Sequence, residues 1–290
     1  MPALAVSGID HSLIGVRDLE AARLAWQRLG FTVTPRGRHI GWGTANYCLM
    51  FETGYVELLG IVDPKQFTND LDKFLLQREG LMGLAFATAD ASALARQLNA
   101  AGLHPDGPKD LKRLLELPGG DVLPAFKLAF LPPDELPDLR AFFCQHLTPE
   151  LVRRPAWLAH ANGAQRLAAL TVASERPAAL AEAYGRIFGR EALSQEDEGL
   201  AIPIGSSELR FMTPARLAAR YRGIAVPAHW MAVQTVAVAD LDVARAVLKQ
   251  SGIGAQGDQG RLLVGPEAAT GCILELIASR SSAFNGTADE

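Results

Sequence analysis

Apolar and polar positions along the chain repeat one arrangement four times. An apolar run is followed by an acidic residue, then by apolar positions at helical spacing, then by a glycine and short strand-like runs. In the first copy the apolar run is residues 7–16, with His11 embedded in it. Asp18 is placed to cap a helix whose Leu19, Ala22, Trp26 and Leu29 share a face, and Gly30 ends it. Residues 31–34 read as a short strand and 35–38 as a turn. A glycine-rich polar stretch, 39–46, leads into strands at 47–51 and 55–61. The second copy has a strand at 81–89, a helix capped by Asp90 with Leu94 and Leu98, and Gly102 as its stop. A long variable stretch with Pro105, Pro108 and Gly119–Gly120 precedes a closing hairpin at 125–131 and 141–147. The third copy runs from a strand at 166–173 through a helix carrying Leu180, Ala183, Tyr184 and Ile187 to strands at 200–204 and 208–212. A basic linker, 216–222, joins it to the fourth. That copy has a strand at 230–239, a helix capped by Asp240 and strands at 261–264 and 271–278.

Each copy is strand–helix–strand–strand–strand. A unit of this size cannot bury its sheet alone, so copies must pair. The expected fold is therefore α+β: four βαβββ units whose helices cover one sheet face while the other curves into a cup. The expected divisions are a first paired module at 1–147, a connector or lid at 148–164, a second module at 165–279 and a frayed tail at 280–290. The connector holds Pro149, Arg153, Arg154, Pro155, Trp157, His160 and Asn162, and fits neither helix nor strand.

Composition narrows the function classes. With 290 residues and 49% hydrophobic positions, the chain can bury a sizeable core. A net charge of -4 with scattered arginines gives no reason to expect nucleic acid or an anionic membrane as partner. No apolar run is long enough to span a bilayer, and the N-terminus lacks a signal-peptide pattern. Cys48, Cys144 and Cys272 are far apart, which suits buried thiols in a reducing, cytoplasmic setting. Neither the spacing nor the lysine of a phosphate loop is present in 41–46, so no nucleotide cofactor is expected.

Ile9-Asp10-His11, Gly37-Arg38-His39 with Gly43-Thr44-Ala45-Asn46, and Tyr55-Val56-Glu57-Leu58-Leu59 resemble the vicinal oxygen chelate superfamily, the glyoxalase, extradiol dioxygenase and bleomycin-resistance fold. The first half looks like the glyoxalase-like domain subfamily, and His160-Ala161-Asn162-Gly163-Ala164 is similar to that group as well. The resemblance implies two glyoxalase-like modules with cupped mixed sheets. It also implies that metal ligands come from the first and last strands of paired units. Counting seven residues back from each capping acid gives His11, Gly83, Ala168 and Val233 for the first strands; the last strands give Glu57, Gln145, Arg210 and Glu275. The C-terminal pair then offers one carboxylate and no histidine, and reads as metal-free. The N-terminal pair offers His11, Glu57 and Gln145, with His39, His146 or His160 as further donors. One residue of register decides between Gln145 and His146.

These residues lead to a function reading with an alternative. A divalent metal (zinc, nickel, manganese or iron) would bind through His11, Glu57 and Gln145, with His11 and Glu57 as catalytic groups. A small oxygen-rich substrate would contact His39, Thr44, Asn46, His146, His160 and Asn162, and lyase or isomerase chemistry through an enolate would follow. In the alternative, the same cup binds or sequesters a small molecule without turnover. His11 and Glu57 can also simply pair with each other, since an unpaired buried carboxylate is costly. A homodimer, with the degenerate C-terminal half at the interface, is a further expectation.

Overall fold

A computed structural model describes residues 4–196, 199–226 and 230–279 of the protein; the tail expected to fray, 280–290, lies outside the described residues. The first half is built from β1 (Gly8–Gly15), α1 (Leu19–Arg28), β2 (Gly37–His39), β3 (Thr44–Met50), β4 (Tyr55–Ile61), α2 (Leu71–Gln77), β5 (Gly80–Ala87), α3 (Ala91–Ala100), β6 (Asp106–Leu115), β7 (Ala125–Phe130) and β8 (Ala141–His146). These eight strands close into a barrel in the order β1-β4-β3-β2-β6-β7-β8-β5. Each unit contributes four neighbours, and the units join along β1/β5 and β2/β6.

The second half comprises β9 (Ala164–Ala173), α4 (Ala181–Phe188), β10 (Ser194–Glu196), β11 (Gly199–Ile204), β12 (Ser207–Met212), α5 (Pro214–Arg220), β13 (Trp230–Val238), α6 (Leu241–Gln250), β14 (Gln256–Gly257), β15 (Arg261–Val264) and β16 (Ile273–Ala278). Its eight strands keep the same order, β10-β11-β12-β9-β13-β16-β15-β14, in an open sheet. The fold is α+β, with two paired modules of mixed sheet.

Three of the four helices that the pattern places, α1, α3 and α6, begin at an aspartate side-chain cap, and all four bury one stripe. Asp18 accepts from Ala21 N, Asp90 from Ser92 and Ala93 N, and Asp240 from Asp242 and Val243 N. Trp26 of α1, Leu94 and Leu98 of α3 and Leu248 of α6 join one core with Phe86, Phe143, Tyr184 and Phe211 from the two halves. Each such side chain contributes about 1.5–3 kcal/mol of burial. The halves therefore share a hydrophobic layer, crossed by Trp26 Nε1 donating to Thr270 Oγ1 (2.9 Å) and Ser12 Oγ donating to Gln234 Oε1 (2.5 Å).

Several elements differ from the sequence expectation. Residues 31–34 form no strand, and the expected turn at 35–38 instead enters β2 at Gly37. The variable stretch after α3 holds the ten-residue β6. Both strands depend on a partner about seventy residues away, Gly37 pairing with Leu115, which no local pattern reveals. The basic linker is the helix α5, started by Thr213 accepting from Arg216 N. α2 was also not evident, and it caps one end of the barrel. Among the described residues no helix is long and apolar enough to cross a membrane.

Candidate functional site

Alternation along the strands decides what points into the closed barrel. His11 and Leu13 of β1, Tyr55 and Glu57 of β4, and Leu111 and Arg113 of β6 face inward, opposite phenyl rings from β7 and β8. Leu71 and Phe74 of α2 pack on Leu59 and Met82 at one end of the barrel. Val152, from the segment after β8, packs on Cys48, Met50 and Tyr55 near its other end. A cavity of ≈ 50 Å³ remains, walled by apolar groups with a polar centre.

A β-bulge builds that centre. The pairing of β1 with β5 slips between Ile9 and His11, so Asp10 is an extra residue. Asp10 and His11, which simple alternation would put on opposite faces, are both buried and touch: His11 Nδ1 lies 2.7 Å from Asp10 Oδ2. His146 Nε2 lies 3.0 Å from the same oxygen. Burial alone would raise the Asp10 carboxyl; interaction with His146 and hydrogen bonds from His11 and His146 outweigh it and hold Asp10 well below the usual carboxylate range. Asp10 is thus ionised and accepts from His11 Nδ1–H, a tautomer assigned from this hydrogen-bond pattern. The other ring nitrogen of His11, Nε2, lies 3.5 Å from Glu57 Oε2.

Glu57 is approached from its other oxygen as well. Asn46 Nδ2 donates to Glu57 Oε1, and Asn46 Oδ1 accepts from Arg113 Nη1 at 3.1 Å, which fixes the amide's orientation. His39 Nε2 lies 3.8 Å from Glu57 Oε1, while its Nδ1 meets Thr44 Oγ1 at 2.8 Å. Burial pushes the His39 imidazole down to about 4, against the opposing charge of Glu57, so at neutral pH it is uncharged. The ring of Tyr55 stacks on His11 at 4.4 Å.

Of the residues singled out by sequence, His11, His39, Thr44, Asn46 and Glu57 come together around this cavity. Gln145 does not. It points outward, its Oε1 accepting from Ala91 N at the start of α3, so it leaves the ligand set. Its neighbours Cys144 and His146 face inward, opposite Leu128 and Phe126. His160 and Asn162 are also corrected. His160 Nδ1 accepts from Thr32 N (3.0 Å) and Nε2 donates to Met50 O (2.9 Å). Asn162 donates to Leu29 O and accepts from Ala164 N. Both side chains are buried, staple the segment to the barrel and do not line the cavity.

Three interior residues went unassigned from sequence: Asp10, Arg113 and Cys144. Asp10 was hidden by the bulge. Arg113 lies in a run of charged residues, Lys109, Asp110, Lys112 and Arg113, that reads as solvated. Cys144 read as core, and its thiol is indeed pushed well above the ordinary value by burial and by the nearby Asp10 and Glu57.

The donors present fit a divalent ion. Two ligand atoms each about 2.1 Å from a tetrahedral ion sit about 3.4 Å apart, close to the His11–Glu57 separation of 3.5 Å. A metal-bound imidazole commonly donates its other N–H to a carboxylate, as His11 does to Asp10. His39 approaches the other oxygen of Glu57 and does not complete a set of three with this pair. A second set, Asp10, Cys144 and His146, has ligand atoms all within 4.8 Å of one another. In that set Asp10 Oδ2 takes hydrogen bonds from two imidazoles, and burial raises the Cys144 thiol. First strand β5 adds no donor, since Gly83 and Ala85 lie opposite Leu13 and His11. In the second half, Glu275 is fully buried between Arg220 and Arg261, each at 3.1 Å, with Thr235 Oγ1 donating at 2.8 Å.

The sequence matches the family model of the glyoxalase-like domain over residues 9–188. Among solved structures, a hypothetical protein from Staphylococcus aureus is similar at 12% identity, covering 93% of this chain and 99% of that one, with a TM-score of 0.68. A xylose isomerase-like TIM barrel/4-hydroxyphenylpyruvate dioxygenase fusion protein is 15% identical, with 97% of this chain and 50% of that chain covered and a TM-score of 0.59. A mutant 4-hydroxymandelate synthase from Streptomyces coelicolor is 13% identical, with 96% and 93% covered and a TM-score of 0.55. At these identities the likeness is one of fold, that of the vicinal oxygen chelate superfamily. No curated protein matches the sequence.

Proposed function

The chain belongs to the glyoxalase-like domain family, and we propose that its N-terminal barrel binds a small oxygen-rich molecule and carries out metal-assisted lyase or isomerase chemistry on it. The observation that supports this is the His11–Glu57 pair, with His11 oriented by Asp10, inside an apolar-walled cavity. His11 and Glu57 would hold the ion, and their nitrogen and oxygen donors suit zinc, nickel, manganese or iron. Such an ion supplies Lewis-acid stabilisation of charge developing on a substrate oxygen.

The remaining work belongs to the chain. Asn46 and Arg113 hold the Glu57 carboxylate by its Oε1. Where Glu57 is not a ligand, its Oε2, on the cavity side of His11, can instead take a proton from the carbon beside a carbonyl as the enolate forms. Apolar walls around this point exclude water and strengthen each electrostatic contact.

Metal analysis of protein purified without chelator tests the reading. The expected result is a stoichiometric metal that His11→Ala loses and Cys144→Ala keeps; Glu57→Gln should abolish exchange of substrate α-protons with deuterated water. No metal after incubation with zinc, nickel, manganese and iron would sink the metal-assisted reading. The silent β5 positions, Gly83 and Ala85, favour a second reading in which the cavity binds without turnover. A ligand that raises the melting temperature of the wild type, without α-proton exchange, would select it.

A further inference from the structure

Arg113 is a buried cation that the proposed chemistry uses through only one of its nitrogens. It is 4% exposed. Nη1 donates to Asn46 Oδ1 (3.1 Å) and to the thiol of Cys48 (3.2 Å), a weak acceptor. Nε is buried without a partner, and Nη2 makes no hydrogen bond among the described residues. No described carboxylate lies within 4.0 Å of the guanidinium. An unpaired N–H in such a place is costly, and an uncompensated charge more so. The surroundings offer partial relief only: the ring of Phe126 lies 5.8 Å from Cζ, Glu57 lies beyond Asn46, and Leu111 and Leu128 share the wall. Nε and Nη2, one edge of a rigid donor fork, are without a protein partner on a residue that lines the cavity with His11, His39 and Glu57.

We propose that this edge is the anchor for a ligand carboxylate, so that the barrel selects short-chain carboxylic acids. A planar carboxylate accepts two parallel N–H bonds from a guanidinium, and in a low-dielectric cavity this is the strongest recognition available to it. Cavity size sets the length. One water occupies about 10–15 Å³ on the measure that gives ≈ 50 Å³ here. The enclosed part of the ligand is therefore a carboxylate and one or two further carbons.

The inference rests on the barrel interior being the ligand site and does not depend on the metal. Its test is calorimetric titration of the full-length protein, as purified and after chelator treatment, with acetate, lactate and pyruvate against acetamide and lactamide. The acids should bind at least about tenfold more tightly than the amides, equivalent to about 1.4 kcal/mol. Arg113→Met should erase that preference. Arg113→Lys, which keeps the buried charge beside Glu57, should fold and retain part of it. Equal affinity for acids and amides, no binding of any acid, or an unchanged preference in Arg113→Lys and Arg113→Met would each overturn the proposal. Acid preference in protein that takes up none of zinc, nickel, manganese and iron on incubation would leave this inference standing while the metal-assisted reading falls.

Discussion

His39 should make the protein acid-sensitive in a measurable window. Its folded-state imidazole is pushed down to about 4 by burial, while an unfolded histidine titrates near 6.5. Between these values the unfolded chain binds a proton that the folded chain does not, so stability falls as pH drops through 6.5 and levels off below 4. Working from these two values, the loss from this residue is about 2 kcal/mol at pH 5 and about 3 kcal/mol at pH 4. His39→Gln keeps a side chain able to bond Thr44 Oγ1 but cannot titrate. Urea unfolding of chelator-treated wild type and variant, at half-unit steps from pH 7 to 4, isolates the effect, because all other groups contribute equally to both. The wild type should lose its advantage over the variant by about 2 kcal/mol between pH 7 and 5. A gap that stays constant would refute the reasoning. A gap that widens would mean that His39 is protonated in the folded state and paired with Glu57.

Two further outcomes follow from the packing. A Cβ at Gly37 would overlap Asn46 Oδ1, so Gly37→Ala should displace the amide from Glu57 and Arg113; deuterium exchange and acid binding should fall while far-ultraviolet circular dichroism stays unchanged. Glu275→Ala leaves Arg220 and Arg261 without their shared partner and should cost about 3 kcal/mol, read as a lower urea midpoint, with the metal content of the N-terminal barrel unaffected.

Much of the architecture was legible in the residue pattern. Four apolar runs, three with an aspartate cap and all followed by an amphipathic stretch, announce four units, since capping and helical periodicity are local properties. His11 and Glu57 stood out for the same reason: a charged group within an apolar strand is visible wherever the strand goes. Thr44 and Asn46, two apart in a strand, could be expected to share a face, and both are buried beside His39 and Glu57.

What the sequence alone could not give is which face of each strand becomes the inside. Strand β6 reads as a charged surface stretch until pairing with β2 and β7 closes the barrel and turns Arg113 inward. Pairing of β8 with β7 sets Cys144 and His146 inside and sends Gln145 to cap α3. His160 and Asn162 carry the chemistry of a binding site, yet backbone groups from distant turns consume it. Asp10 joins His11 only because a one-residue bulge interrupts the two-residue period of β1. Helix starts and apolar runs are fixed by neighbours along the chain; register, bulges and barrel closure are fixed by strands tens of residues apart, and it is these that gather the polar centre.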